Sequence, residues 1–169
     1  NERLQPKFEL EILKNGAPID KNGCGEAKFT AGANTSGEGW HKFETGWWKD
    51  WTTVSINLRE HDGEEVVVRL TTYDCAELGH FGYAYFTLDC SDGQIQSSAC
   101  GDVENDTLSG PEGFNYRWYK KSEPHNTLWE EQTYVISTKD TAVYCLDVIQ
   151  PTNSGCYYTL ETSGMQRYP

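Results

Sequence analysis

Positive charge is scarce in this 169-residue chain: 14 Lys and Arg stand against 26 Asp and Glu, a formal net charge of −12. Nucleic-acid binding needs clustered Lys and Arg to displace counterions, and an anionic membrane surface needs the same, so both partner classes are excluded as expectations. No apolar run approaches the length of a membrane span, so direct membrane insertion is excluded too. No secretory leader opens the chain, which fits either a processed protein or an internal fragment. Methionine occurs once, and no segment before residue 90 carries the apolar period of a three-turn helix. A Gly-rich phosphate loop, a Ser elbow and a His-Glu-x-x-His run are all missing, and nothing selects one carboxylate pair from so acidic a chain. The expectation is therefore a protein that is not an enzyme.

What is plentiful is aromatic and cysteine. Ten Tyr, six Trp and six Phe favour pleated, half-buried surfaces and can supply flat binding faces. The six cysteines, Cys24, Cys75, Cys90, Cys100, Cys145 and Cys156, include no C-x-x-C pair and match no zinc spacing. Sequence-distant cysteines in strand-rich segments read as disulfides, and disulfides imply an oxidising, extracellular compartment.

Alternation of apolar and polar residues places the strands. Phe8, Leu10 and Ile12 share one face over Lys7 to Leu13, and Asn15-Gly16 is a turn signal. Further strands are expected at Glu26 to Ala31, Trp51 to Leu58, Glu65 to Tyr73 and Phe81 to Asp89. The 51–58 and 65–73 segments read as a hairpin or a short sheet-to-sheet connection, with Trp51 as the first inward residue. The stretch Gly32 to Gly46 reads as a long surface loop. After a weak region at Ser91 to Gly101 come short strands at Thr107 to Ser109, Asn115 to Tyr119, Thr133 to Ser137, Ala142 to Ile149 and Cys156 to Leu160. Turn signals about every ten residues fit a small sandwich. The expected architecture is all-β, in two modules spanning 1–92 and 93–169.

Two resemblances refine this. Trp118, within Tyr116-Arg117-Trp118-Tyr119, is similar to the core Trp of strand C in immunoglobulin-like sandwiches. Asp140-Thr141-Ala142-Val143-Tyr144 resembles the turn into strand F, whose Tyr hydroxyl bonds back to the backbone. Cys145 lies one residue after that Tyr, where the antibody pattern has its cysteine two residues after, so it points to the other face. The expected bridge is Cys145–Cys156 across strands F and G, with Cys75–Cys90 and Cys24–Cys100 as the favoured pairings of the other four.

The segment Trp48-Lys49-Asp50-Trp51-Thr52-Thr53-Val54, with Thr72-Tyr73-Asp74-Cys75 and Gly79-His80-Phe81-Gly82-Tyr83-Ala84-Tyr85, resembles a jelly-roll-like module of very large cell-surface proteins of Bacteroidota. Pro111-Glu112-Gly113-Phe114 resembles the lead-in to the Ig-like or PKD-like module that follows there. The resemblance implies a non-catalytic piece of an adhesin or gliding-type protein, with neighbouring modules in the same polypeptide. Thr87 departs from the Asp common at that point.

Candidate sites follow from residue chemistry. Trp40, Trp47 and Trp48, with His80 and Tyr83, could contact a glycan or a protein, because sugar rings stack on exposed indoles. Trp47 and Trp48 are adjacent, so they point opposite ways on an extended chain. The net charge favours a neutral sugar. Asp74, Glu77 and Asp89 offer oxygen ligands that would suit calcium, against the plainer reading of a solvated loop. No other cofactor is implied. A Cys75–His80 nucleophile pair is outweighed by the disulfide reading of Cys75. A structural spacer and a fragment of a secreted hydrolase stand as the alternatives to a binding pair.

Overall fold

A computed structural model describes residues 5–31, 39–75, 81–98 and 104–162. Within them the chain is all-β, with twelve strands and a three-residue 3-10 turn at Arg59–His61. No described helix is long and apolar enough to cross a membrane. The chain divides into two compact units, Asn1–Asp89 and Cys90–Pro169.

In the first unit, strand β1 (Lys7–Lys14) is the centre of an antiparallel sheet. Asn15 (φ 53°) and Gly16 (φ 80°) both adopt left-handed backbone, the geometry of a tight two-residue hairpin, and return the chain as β2 (Ala17–Pro18). Strand β3 (Glu26–Thr30) continues along the same side of β1, pairing Phe8 with Phe29 and Leu10 with Ala27. On the other side lies β6 (Val67–Tyr73), which sets Leu70 opposite Leu10. The alternating apolar residues of the sequence thus line one sheet face, and Ile12 and Ala27 are buried on it.

Between β3 and β6 the chain departs from the sequence expectation. A hairpin of β4 (Trp40–Phe43) and β5 (Gly46–Lys49) stands where a loop was expected, and it gathers the tryptophans. Residues 51–58 form no strand. Thr52 Oγ1 donates to the Asp50 carbonyl, and Asn57 Oδ1 accepts from the Arg59 N–H, so short polar side chains occupy local backbone groups. The expected hairpin with 65–73 is absent: β6 pairs with β1, residues 51–58 join no ladder, and Trp51 is 76% exposed instead of inward. Residues 81–89 keep their alternation without entering a strand.

The second unit is built from two three-stranded antiparallel sheets. One has the order β10 (Thr133–Ser137), β8 (Asn105–Ser109), β7 (Gln96–Ser97); the other has β12 (Tyr157–Glu161), β11 (Tyr144–Ile149), β9 (Asn115–Lys120). Ile95, Leu108 and Ile136 from the first meet Trp118, Tyr144, Leu146, Val148 and Leu160 from the second in one core. That shared core makes the pair a sandwich. Trp118 is 0% exposed, and its indole N–H donates to the Glu131 carbonyl at 2.9 Å.

The turn before β11 is held by Asp140. One carboxylate oxygen accepts the Ala142 N–H at 2.8 Å, and the other accepts the Tyr144 hydroxyl at 2.6 Å and lies 3.3 Å from Lys120 Nζ. A backbone acceptor was expected for that hydroxyl. Asp140 meets it because capping the turn aims its second oxygen at Tyr144. These donors, Tyr144 first and then the Ala142 N–H, lower the Asp140 carboxyl to about 2.

A depressed carboxylate pKa stabilises the fold above the ordinary carboxylate range and loses that contribution as pH falls through the folded value. The wild type is therefore expected to lose part of its stability between pH about 4 and about 2 through this group, while Asp140→Asn removes that part of the acid limb. Urea midpoints of both proteins from pH 5 to 2 check this. Parallel acid limbs would refute it.

Candidate functional site

The β4–β5 hairpin is the most chemically specialised surface of the first unit. Its register sets Trp40 opposite Lys49, His41 opposite Trp48, Lys42 opposite Trp47 and Phe43 opposite Gly46. Alternation then gives the ribbon two different faces. His41, Phe43 and Trp48 lie on one; Trp40, Lys42, Trp47 and Lys49 lie on the other.

The first face is open. Trp48 and Phe43 are both about half exposed, and the His41 ring stacks on Trp48 at 4.2 Å with 21° between planes. Imidazole Nε2 lies 2.8 Å from Asp50 Oδ2, which fixes the ring's orientation. Phe43 folds over Gly46: a Cβ at Gly46 would come within 2.8 Å of the Phe43 ring. Glycine there lets the phenyl lie flat across the ribbon. The result is a plane of aromatic surface edged by a carboxylate and an imidazole.

The second face is half-buried and interleaves indoles with ammonium groups. Lys42 Nζ lies 5.9 Å from the Trp47 ring centroid, and Lys49 Nζ lies 5.8 Å from Trp40 and 5.6 Å from Phe29 of β3. These are cation–π separations.

Of the expected ligand residues, the structure brings Trp40, Trp47 and Trp48 together on this ribbon. Tyr83 is exposed elsewhere, its ring 6.4 Å from Phe81 and 5.8 Å from Tyr85. His80 and Glu77 lie outside the described residues. Asp74 Oδ1 accepts the Gly82 N–H at 3.1 Å, a corner-holding role, and Asp89 has a partner of its own. Among the described residues no three His, Cys, Asp or Glu side chains converge on a point that would hold a metal ion.

The cysteine pairings need correction. Cys156 is disulfide-bonded, as is Cys24, whereas Cys145 is a buried free thiol. The Cys145–Cys156 bridge is ruled out by register. Cys145 faces Glu161, while the Cys156 carbonyl accepts from the Gln150 N–H, five positions farther along the strand. That offset is about 17 Å at 3.3–3.4 Å per residue, against the roughly 7 Å limit between bridged Cα atoms. Cys75 and Cys90 are in no disulfide, so the expected Cys75–Cys90 bridge also fails; the residue that returns to the Asp74–Cys75 corner is Gly82. Cys100 lies outside the described residues.

A second cluster escaped the sequence reading. On the outer face of the β12-β11-β9 sheet, Asp147 is 4% exposed and accepts from Arg117 Nε (3.0 Å) and Nη2, from the Tyr119 hydroxyl (3.1 Å) and from Thr159 Oγ1 (2.7 Å). Arg117 Nη1 also donates to the Pro124 carbonyl, and its guanidinium lies 4.6 Å from the Tyr119 ring centroid. The hydrogen bond to Asp147 raises Arg117 further, and burial pushes the neighbouring Cys145 thiol up. With its oxygens so fully engaged, Asp147 acts as a pin across three strands, and Arg117 extends it to the loop after β9. The partners of Asp147 lie on β9 and β12, the strands either side of its own, so no local spacing announces them. The hairpin, in contrast, had a local signal in the two four-residue runs flanking Glu44-Thr45. Elsewhere in this unit, a cleft of about 380 Å³ is lined by polar groups that include Asp92, Gln94, Glu112 and Gln132.

These features define an all-β, disulfide-bearing chain of two compact units with an aromatic hairpin in the first. The chain matches no family model, no curated protein and no solved structure.

Two outcomes are expected from the second unit. Alkylation under native conditions should leave Cys145 unmodified and label it once the chain is unfolded, with Cys156 released only by reduction; peptide mapping reads both. Asp147→Ala should lower unfolding stability by on the order of 2 kcal/mol, since it removes charge-assisted hydrogen bonds but Arg117 is partly solvated. A urea midpoint equal to wild type would show that the pin contributes nothing.

Proposed function

We propose that the chain is a non-catalytic binding pair of modules from an extracellular, cell-surface protein, with the β4–β5 hairpin as its contact for glycan. The observation that carries this reading is the open face of Trp48, stacked on an oriented His41 and flanked by Phe43 and Asp50. An indole plane beside hydrogen-bonding groups suits a pyranose, whose C–H face stacks while its hydroxyls bond to the edge.

Supporting features lie in both units. Two disulfide-bonded cysteines favour an oxidising compartment. In the second unit the order β10-β8-β7 against β12-β11-β9, with Trp118 in the core and Tyr144 opening β11, favours the immunoglobulin-like reading. The jelly-roll-like reading of the first unit and the likeness to Bacteroidota adhesins rest on the sequence motifs. In this reading neighbouring modules of the same polypeptide share the load. One stacking contact is worth only about 0.5–1.5 kcal/mol beyond area burial, so affinity comes from many copies acting together.

A glycan array probed with a multivalent display of the full chain tests the proposal. Binding is expected to drop about two- to tenfold in Trp48→Ala, the fold-change that such a stacking energy implies. Silence of the correctly folded protein on the array would leave a spacer role in its place. A glycosidase or peptidase rate abolished by one Asp or Glu substitution would overturn the non-catalytic reading.

A further inference from the structure

The aromatic row that follows β6 in the first unit enters no ladder. Phe81, Tyr83 and Tyr85 are each about three-quarters exposed, and Phe86 and Leu88 are more than half exposed. Rings two residues apart lie side by side, Phe81 with Tyr83 at 6.4 Å and Tyr83 with Tyr85 at 5.8 Å, so the stretch is extended with these three on one face. Among the described residues, no strand pairs with it and no backbone-to-backbone hydrogen bond holds Tyr83 to Leu88. None of the residues from Phe81 to Leu88 is charged, in a chain that carries 26 Asp and Glu. An uncharged, proline-free aromatic run with open backbone groups is the pattern that recruits a further strand.

The ring geometry and the hydrogen bonding decide which strand. Tyr83 and Tyr85 stand at 79° to one another, so the row is no flat platform for a sugar; edge-to-face rings interdigitate with other rings instead. Asp74 Oδ1 accepts the Gly82 N–H, so the protein's own corner occupies one edge of the stretch. Neighbouring amides of an extended chain point to opposite edges, which leaves those of Tyr83 and Tyr85 on the open one. We infer that this open edge is the interface of a two-fold dimer, in which residues 81–85 pair antiparallel with the same residues of a second copy. Centred on Tyr83, the pairing sets that residue against its own counterpart and Phe81 against Tyr85, ring on ring throughout. Centring on Tyr85 instead sets Phe81 against Asp89. The lack of charge lets two copies of an acidic chain meet here, because at physiological ionic strength charges beyond about 8 Å are screened. Three rings of about 150–250 Å² each, at this exposure, offer about 350–550 Å² per copy. Two copies then bury about 1,000 Å², the lower end of specific interfaces, so the dimer is weak. The Asp74 corner occupies the outer edge, so pairing closes at two copies and does not propagate.

Sedimentation velocity of the full chain from about 1 to 200 µM, at about 0.15 M salt, tests this. Wild type is expected to pass from monomer to dimer across that range. Tyr83→Lys, which sets two ammonium groups face to face, should weaken association about tenfold or more, while Trp48→Ala leaves it unchanged. Tyr83→Cys should form a reducible dimer bridged between the two copies at position 83, since antiparallel partners lie about 4.5–5.5 Å apart at Cα, within disulfide reach. Peptide mapping reads that link. Circular dichroism confirms that each variant is folded, and Tyr85→Lys replaces Tyr83→Lys if the latter is not. A wild type that stays monomeric to the upper concentration overturns the inference. So does a dimer that the lysine variant leaves intact, or one never bridged at position 83. A monomer whose glycan binding falls in Tyr83→Ala overturns it as well and assigns the row to the glycan.

Discussion

Successive side chains on a strand point to opposite faces, and this constraint decides nearly every chemical property described above. It separates Tyr144, Leu146 and Val148, which enter the sandwich core, from Cys145 and Asp147, which do not. It gives the β4–β5 ribbon one face of Trp48, His41 and Phe43 and another of indoles and ammonium groups. A ribbon of eight strand residues can hold two kinds of surface because nothing in its backbone mixes the two faces.

Both faces of β11 are buried, which is unusual for a strand in a small sandwich. Toward the core it packs against Trp118, the largest fully buried side chain. On the outside, Asp147 is enclosed by Arg117, Tyr119 and Thr159. A carboxylate can be buried there because charge-assisted and hydroxyl hydrogen bonds replace its lost hydration. The second unit is thus pinned on both sides of one strand. In the first unit the aromatic residues that follow β6, Phe81, Tyr83 and Tyr85, remain largely exposed.

Cations in both units pair with carboxylates. Arg117, Lys120 and Lys121 in the second unit each pair with a carboxylate. The sheet of the first unit does the same for Lys7, Lys14, Lys28 and Arg69. In the hairpin Lys42 lies beside the Trp47 ring and Lys49 beside Trp40 and Phe29, as Lys7 lies beside Tyr73 in the neighbouring sheet.

By itself the sequence determined the all-β class and the strands of β1, β3, β6 and β8 to β12 to within a few residues, because alternation and turn residues such as Asn15-Gly16 act locally. It also determined that Cys145 faces away from the core, since one residue's offset from Tyr144 reverses the side chain's direction. Tertiary structure decided what depends on an arriving partner. Trp51 to Leu58 and Phe81 to Asp89 have the pattern of strands, yet no partner strand lies beside either and both stay outside any ladder. The Trp-rich segment read as loop became a ribbon once Trp40 to Phe43 met Gly46 to Lys49. Cys145 and Cys156 lie on neighbouring strands, but register set them five positions apart. Asp147 found Arg117 and Thr159 from strands remote in sequence. Periodicity gives a segment two faces; only the strand laid beside it fixes register, and register fixes which side chains meet.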